Sequence, residues 1–216
     1  MTDPEIRQQT ASEPLSLEEE HDMQRSWHLD DDKLTFIVLS RDESVYVPDT
    51  EADADEVSQF LAKCKMAGDV NLFLSPSQDE DEDEETAGAG KPSAVAKSPA
   101  MDAELEVMIA EPSERRKGLA REALSLLIHY ASTSPTPVPS VSSSPSAPSR
   151  ALPLQPRNFL VKIGLDNAPS LALFKSLGMQ EVKVSEIWRE VEMRWADGDG
   201  LPLPAQKKVQ VLRWKR

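Results

Sequence analysis

One cysteine, three histidines and 5% aromatic residues set the first limits on this 216-residue chain. Cys64 alone cannot make an internal disulfide, which fits a reducing compartment, and without a nearby histidine it reads as a structural or surface thiol. His21, His28 and His129 lie far apart, so a Cys/His zinc site lacks its ligands and no metal is expected. No apolar run approaches the roughly 20 residues that cross a bilayer, and MTDPEIRQQT is not a basic-then-apolar signal peptide. The Gly-x-Ser-x-Gly elbow, the phosphate loop of nucleotide hydrolases and the dinucleotide fingerprint are all missing. Bases are scarce, with 24 Lys+Arg against 38 Asp+Glu and a net charge of −14, which argues against a general nucleic-acid binder. These absences predict a soluble intracellular protein, cytoplasmic, with neither a membrane nor a nucleic-acid partner.

The charge that is present is unevenly placed. Residues 1–99 hold 25 acids and eight bases, whereas residues 100–216 hold 13 acids and 16 bases. An anionic ligand is therefore expected in the second half. Seven consecutive acids, Asp79 to Glu85, sit in a stretch of about 76–101 that cannot bury a face and lacks the spacing of a calcium loop, so it reads as a solvated insertion. A Ser/Pro-rich stretch of about 133–157 reads as a second insertion, because proline removes backbone donors and fixes φ. The tail, 197–216, ends KKVQVLRWKR, too thin a basic patch to specify an anionic partner. One domain over 1–196 remains.

That domain alternates strand and helix. Ser16 and Glu19 make a capping box ahead of a helix with Leu17, Met23 and Trp27 as its apolar anchors. Residues 34–40, 69–75, 104–112 and 158–164 read as strands from β-branched and aromatic content. A helix is predicted over 119–132, with Leu119, Ala123, Leu126, Leu127 and Tyr130 near one face. Another begins at Asn167 and is stopped at Gly178, and 181–195 alternates like a hairpin. Antiparallel strands early and two later βα crossovers predict a mixed α/β layer.

The chemically informative stretch is ELEVMIAEPSERRKGLAREALSLL. A strand runs through a basic turn straight into an apolar helix, whose first N–H groups have no intrahelical acceptor and whose dipole adds partial positive charge. Such a terminus suits a pyrophosphate. Gly118 lets backbone approach it without a Cβ, and Arg115, Arg116 and Lys117 add mobile positive charge. A basic turn ahead of a helix can also be mere solvation.

Strand, Arg-x-x-Gly-x-Ala, helix, strand, then Asn-x-x-Ser-x-x-x-Phe-x-x-x-Gly-Met resembles the Gcn5-related N-acetyltransferase superfamily, with Arg115, Gly118 and Ala120 in the defining positions. The phrases TASEPLSLEEE, GDVNLFL and EVMIAEPSERRKGL are similar to its N-acetyltransferase 9-like branch. The resemblance implies a mostly antiparallel sheet flanked by helices, and an acetyl-CoA-dependent transfer to an amine of a protein or peptide. Its alternative is a degenerate member that binds CoA or a protein without turnover. It further implies a first strand and most of a first helix ahead of Met1, so the chain is expected to be N-terminally shortened.

The same resemblance lays acetyl-CoA's pantetheine beside backbone groups of Val107, Met108 and Ile109. Its pyrophosphate would lie on the turn from Arg115 through Arg116, Lys117, Gly118 and Leu119 to Ala120. Asn167 would meet the cofactor, or be a plain helix cap, with Ser170 a weaker candidate. Period-two alternation puts Glu104 and Glu106 on the opposite strand face from Leu105 and Val107. Either glutamate could take the amine's proton, or both could line a half-solvated polar face. Glu111 reads as a loop acid. Where many relatives carry a tyrosine that protonates the leaving thiolate, this chain has Phe174, which is expected in the core.

Overall fold

The computed structural model describes residues 13–30, 32–77, 101–133 and 152–195, with isolated positions outside these ranges. The elements are α1 (Leu17–Leu29), β1 (Lys33–Ser40), α2 (Ala54–Leu61), β2 (Lys65–Pro76), β3 (Met101–Ile109), α3 (Leu119–Thr133), β4 (Phe159–Gly164), α4 (Ala168–Ser176), β5 (Gln180–Ser185) and β6 (Glu190–Arg194). The six strands form one sheet in the order β1-β2-β3-β4-β6-β5. All neighbours are antiparallel except β3 and β4, which α3 joins as a parallel crossover. This is the mixed, mostly antiparallel sheet flanked by helices that the sequence predicts.

One face of the sheet is apolar. Val70, Leu72 and Leu74 of β2, Ala103 and Leu105 of β3, Val161 and Ile163 of β4 and Val191 and Met193 of β6 all bury there. The stripe of α3 that meets them is Ala123, Leu124, Leu127, Ile128 and Ala131. The expected stripe was rotated from this: Leu126 and Tyr130 are exposed, and Tyr130 instead meets Phe36 of β1 edge-to-face at 5.7 Å. Phe174 is 3% exposed, as its place in the core required. Trp195 caps that core, edge-to-face with Phe159 and donating from Nε1 to the Leu177 carbonyl at 3.0 Å.

The opposite face is polar and carries α1. Ser16 and Glu19 form the predicted capping box, yet no residue of α1 is buried. Of its three expected anchors, Leu17 and Met23 are exposed, while the Trp27 ring stands edge-on to Phe73 at 5.5 Å. Helix α2, capped by Asp53, was not read from the sequence: eight residues with one buried side chain, Val57, give little periodicity to detect.

Two boundaries differ in an instructive way. β3 begins at Met101 and ends at Ile109, earlier at both ends than 104–112, because pairing to β2 runs without a break from Pro76–Met101 to Gly68–Ile109. The Ser/Pro stretch is not wholly an insertion. Leu152 is 4% exposed in the core, and Leu154 N–H donates to the Ala131 carbonyl at 2.9 Å, so a stretch dominated by Ser and Pro still docks where one leucine finds a pocket. The acid run, most of the Ser/Pro segment and most of the tail lie outside the described residues.

On the polar face Arg194 of β6 reaches across β4 to Asp102 of β3 in a two-point pair, 2.8 and 3.0 Å, and also holds Glu192 at 2.6 Å. The Asp102 hydrogen bonds, above all, raise the Arg194 pKa beyond its usual value. Removing the cation leaves a covered carboxylate without its partner. Arg194→Leu is expected to cost about 2–3 kcal/mol of unfolding free energy in urea titrations. A loss below about 0.5 kcal/mol would mean that the pair does not fasten these strands.

Candidate active site

The site begins where the sheet forks. β3 and β4 pair only at Ala103–Phe159 and Glu104–Leu160, although β3 continues to Ile109 and β4 to Gly164. Beyond the fork β4 stays on β6 and β3 stays on β2. The clamp of Arg194 on Asp102 and a bond from Asn158 Nδ2 to the Met101 carbonyl, 2.7 Å, close the narrow end.

Strand alternation decides which backbone groups face the gap. Leu74 N–H donates to the Asp32 carbonyl next to β1. Even-numbered β2 residues therefore turn their backbone toward β1, and odd-numbered ones turn toward β3. The unbroken β2–β3 register then directs Glu104, Glu106 and Met108 toward β2, leaving Leu105 and Val107 facing the gap. Among the cofactor candidates on this strand, Val107 lies at the gap. Met108 turns its backbone away, and the Ile109 carbonyl is taken by Arg115 Nε at 2.9 Å. Leu105, which side-chain alternation places on the apolar face, also turns its backbone to the gap.

The wide end of the fork leads to the basic turn. Gly118 has φ 89° and Arg116 φ 62°, and the first bond of α3 runs from Glu122 N–H to the Gly118 carbonyl. The N–H groups of Leu119 and Ala120 precede that first bond and have no intrahelical acceptor. A Cβ on Gly118 would meet no protein atom within 4 Å, so the glycine is required here by its backbone conformation rather than by crowding. Two of the three basic side chains have protein partners. Arg115 also donates to the Ala110 carbonyl at 3.2 Å, bracing the turn against the strand end. Lys117 pairs with Glu114 at 3.1 Å, and Arg116 is exposed.

Glu114, which sequence reasoning passed over, anchors the turn. Its carboxylate is 3% exposed and accepts from Ser40 Oγ of β1 at 2.7 Å as well as from Lys117. These bonds, Ser40 first, hold its pKa below the ordinary carboxylate value. Glu111 caps the short 3-10 turn Pro112–Glu114 through the Ser113 N–H. Asn167 caps α4, its Oδ1 accepting from the Ser170 N–H at 3.2 Å, the helix-cap alternative for Asn167; Ser170 contributes only its backbone N–H to that cap.

The two glutamates differ sharply. Glu104 lies at the last paired position before the fork and is bridged by Lys162 of β4 at 3.2 Å. Glu106 lies one step beyond the fork. The residue as a whole is exposed at the surface, while neighbouring protein atoms partly desolvate its carboxyl. Desolvation, then the charges of Glu104 and Asp69, push its pKa up to about 7. A carboxyl balanced between its two forms near neutrality suits proton abstraction.

Among the described residues no group of three His, Cys, Asp or Glu could hold a metal ion, and no helix is long and apolar enough to cross a membrane.

Residues 1–180 match the family described as Acetyltransferase (GNAT) domain. The chain is 42% identical over 194 residues to an N-acetyltransferase 9-like protein of Caenorhabditis briggsae, a match covering 89% of this chain and 72% of that one. It is 41% identical over 193 residues to the Alpha/beta-tubulin-N-acetyltransferase 9 of Drosophila melanogaster, covering 89% and 73%. To the human protein of that name it is 35% identical over 194 residues, covering 90% and 70%. The chain therefore belongs to the GNAT acetyltransferase family and is an N-acetyltransferase. Its similarity is to the N-acetyltransferase 9-like branch, as the sequence motifs indicated.

The raised pKa of Glu106 has a consequence for stability. The folded state binds this proton more tightly than the unfolded chain, so the contribution falls as pH rises from the ordinary value of 4.5 through about 7. Glu106→Gln removes the ionised form and is expected to raise Tm at about pH 8 while changing it little near pH 4.5. An equal shift at both pH values in thermal melts would contradict the assigned desolvation of this carboxyl.

Proposed function

We propose that this chain transfers the acetyl group of acetyl-CoA to a primary amine of a protein by direct attack on the thioester, with Glu106 as general base. The observation that carries the reading is the fork between β3 and β4, with an amide-rich turn at its wide end and a carboxyl of pKa about 7 one step beyond its closed end. In this reading the gap receives the pantetheine as an added strand beside Leu105 and Val107, and one of their N–H groups supports the developing oxyanion. The N–H groups from Gly118 to Ala120, with Arg116 nearby, take the pyrophosphate. Glu106 is preferred to Glu104 because the Glu104 carboxylate is already engaged by Lys162 of β4.

Relatives at 35–41% identity are named for tubulin, so tubulin is the protein acceptor to try first. The purified chain is incubated with acetyl-CoA and tubulin dimers, or tubulin peptides offering either an α-amine or a lysine. Thiol release and mass spectrometry then report transfer and its position. The buried Phe174 has no proton to give, so the thiolate takes one from water or from Glu106 after attack. CoA binding without thiol release would favour a non-catalytic binding module.

Two variants separate chemistry from binding. Glu106→Gln is expected to lower kcat by about 10²–10⁴-fold, with little change in acetyl-CoA affinity. The unaltered chain should lose kcat/KM below about pH 7, where Glu106 becomes protonated. Gly118→Glu should abolish acetyl-CoA binding in calorimetry, whereas Gly118→Ala, which shares the backbone strain at positive φ without the charge, should only weaken it. Equal losses in the two Gly118 variants would assign the effect to strain and remove the pyrophosphate from this turn.

A further inference from the structure

Asn71 stands in the middle of β2 on the polar face, 2% exposed. Its Nδ2 donates to Asp69 Oδ1 at 2.8 Å, while its own Oδ1 is buried without a hydrogen-bond partner among the described residues. The orientation follows from chemistry, because an ionised carboxylate only accepts, so the nitrogen end of the amide has to face Asp69. A bare carbonyl oxygen is left on the other side, and burying one without a donor is unfavourable.

The surroundings of that oxygen are selective. Directly opposite Asn71 across the β2–β3 ladder is Glu106, and Asp69 is opposite Met108. On the other flank the register partner is Thr35 of β1, an exposed residue that makes no bond to Asn71 among the described residues. Glu104, the next acid along β3, is already bridged by Lys162. Asn71 Oδ1 and Glu106 are thus neighbouring acceptors, one step past the closed end of the fork, with no protein donor assigned to the amide oxygen. A site made of acceptors selects a group rich in N–H, and a primary amine supplies two N–H bonds and one lone pair.

We propose that Asn71 Oδ1 is the binding point for the acceptor's primary amine, beside Glu106, and that Asp69 is a positioning residue that keeps the Asn71 amide in the required orientation. This rests on the transferase reading above. The neutral amine directs one N–H to Asn71 Oδ1, the other to the Glu106 carboxylate and its lone pair to the thioester carbonyl carbon. As the C–N bond forms, Glu106 takes its proton and the C–S bond breaks. The thiolate leaves and regains a proton from Glu106 through water. The hydrogen on Asn71 stays on nitrogen as the amide N–H of the product. A secondary amine has one N–H and leaves one of the two acceptors unpaired.

The test uses the full chain, saturating acetyl-CoA and the tubulin peptide with the highest turnover, compared with its N-methylamine counterpart. The unaltered chain is expected to prefer the primary amine in kcat/KM. Asn71→Leu, close in size and without the carbonyl, should raise the peptide KM about tenfold or more and shrink the primary-over-secondary preference by a similar factor. Acetyl-CoA affinity in calorimetry should stay unchanged, which also verifies that the variant is folded. Asp69→Asn frees the amide to turn and should raise the peptide KM in the same direction, less strongly. Calorimetric titration of the peptide into the CoA-bound chain repeats the comparison without turnover. An unchanged preference in Asn71→Leu overturns the amine subsite. So does an unchanged KM with a displaced acid limb of the pH profile, since the oxygen would then serve protonated Glu106 instead. Absence of turnover by the unaltered chain removes the transferase reading itself, an outcome distinct from both.

Discussion

The molecule depends on a sheet that is tied at one end and open at the other. β3 and β4 share two pairs of residues before they part, and the parting leaves strand backbone with no strand neighbour among the described residues inside an otherwise continuous sheet. An unpaired edge in the interior of a sheet is unfavourable unless something else satisfies it. The Arg194–Asp102 pair and the Asn158 bond to Met101 confine the opening to one side, so the fork has a fixed apex. Without that apex the position of Glu106 relative to the gap would be undefined.

The two faces of β2 and β3 divide the work. Leu72 and Leu105 are fully buried on the apolar face, where α3 covers them, and their packing holds the strands rigid. On the other face the same strands present Asp69, Asn71, Glu104 and Glu106, a concentration of acceptors set in partly desolvated surroundings. Gly68 makes this close arrangement possible: a Cβ there would lie 1.8 Å from the Met108 carbonyl oxygen. Desolvation raises the pKa values of both Asp69 and Glu106, and at Glu106 the charges of Glu104 and Asp69 add to it.

At the wide end a different device operates. Glu114 ties the basic turn to β1 through Ser40, and Arg115 ties it to the end of β3. Positive φ at Arg116 and Gly118 then turns the chain into α3 with its first N–H groups unpaired by the helix. The side chains of this turn thus mostly build the loop, and the backbone provides the amides.

Much of the fold was legible in the chain itself. The capping box at Ser16, the strand content of VNLFLS and ELEVMI, the Arg-x-x-Gly-x-Ala turn and the Gly178 stop are local signals, and each came through because it is set by neighbours in sequence. Periodicity also placed Glu104 and Glu106 on the face opposite Leu105. Tertiary structure decided what depends on distant partners. Lys162 lies 58 residues from Glu104, and its bridge is what distinguishes the two glutamates. The unsatisfied oxygen of Asn71, the Glu114–Ser40 anchor and the docking of Leu152 out of a Ser/Pro stretch arise the same way. Local sequence determines the direction in which a side chain leaves the backbone, but desolvation and charge compensation are set by what the folded chain brings against it.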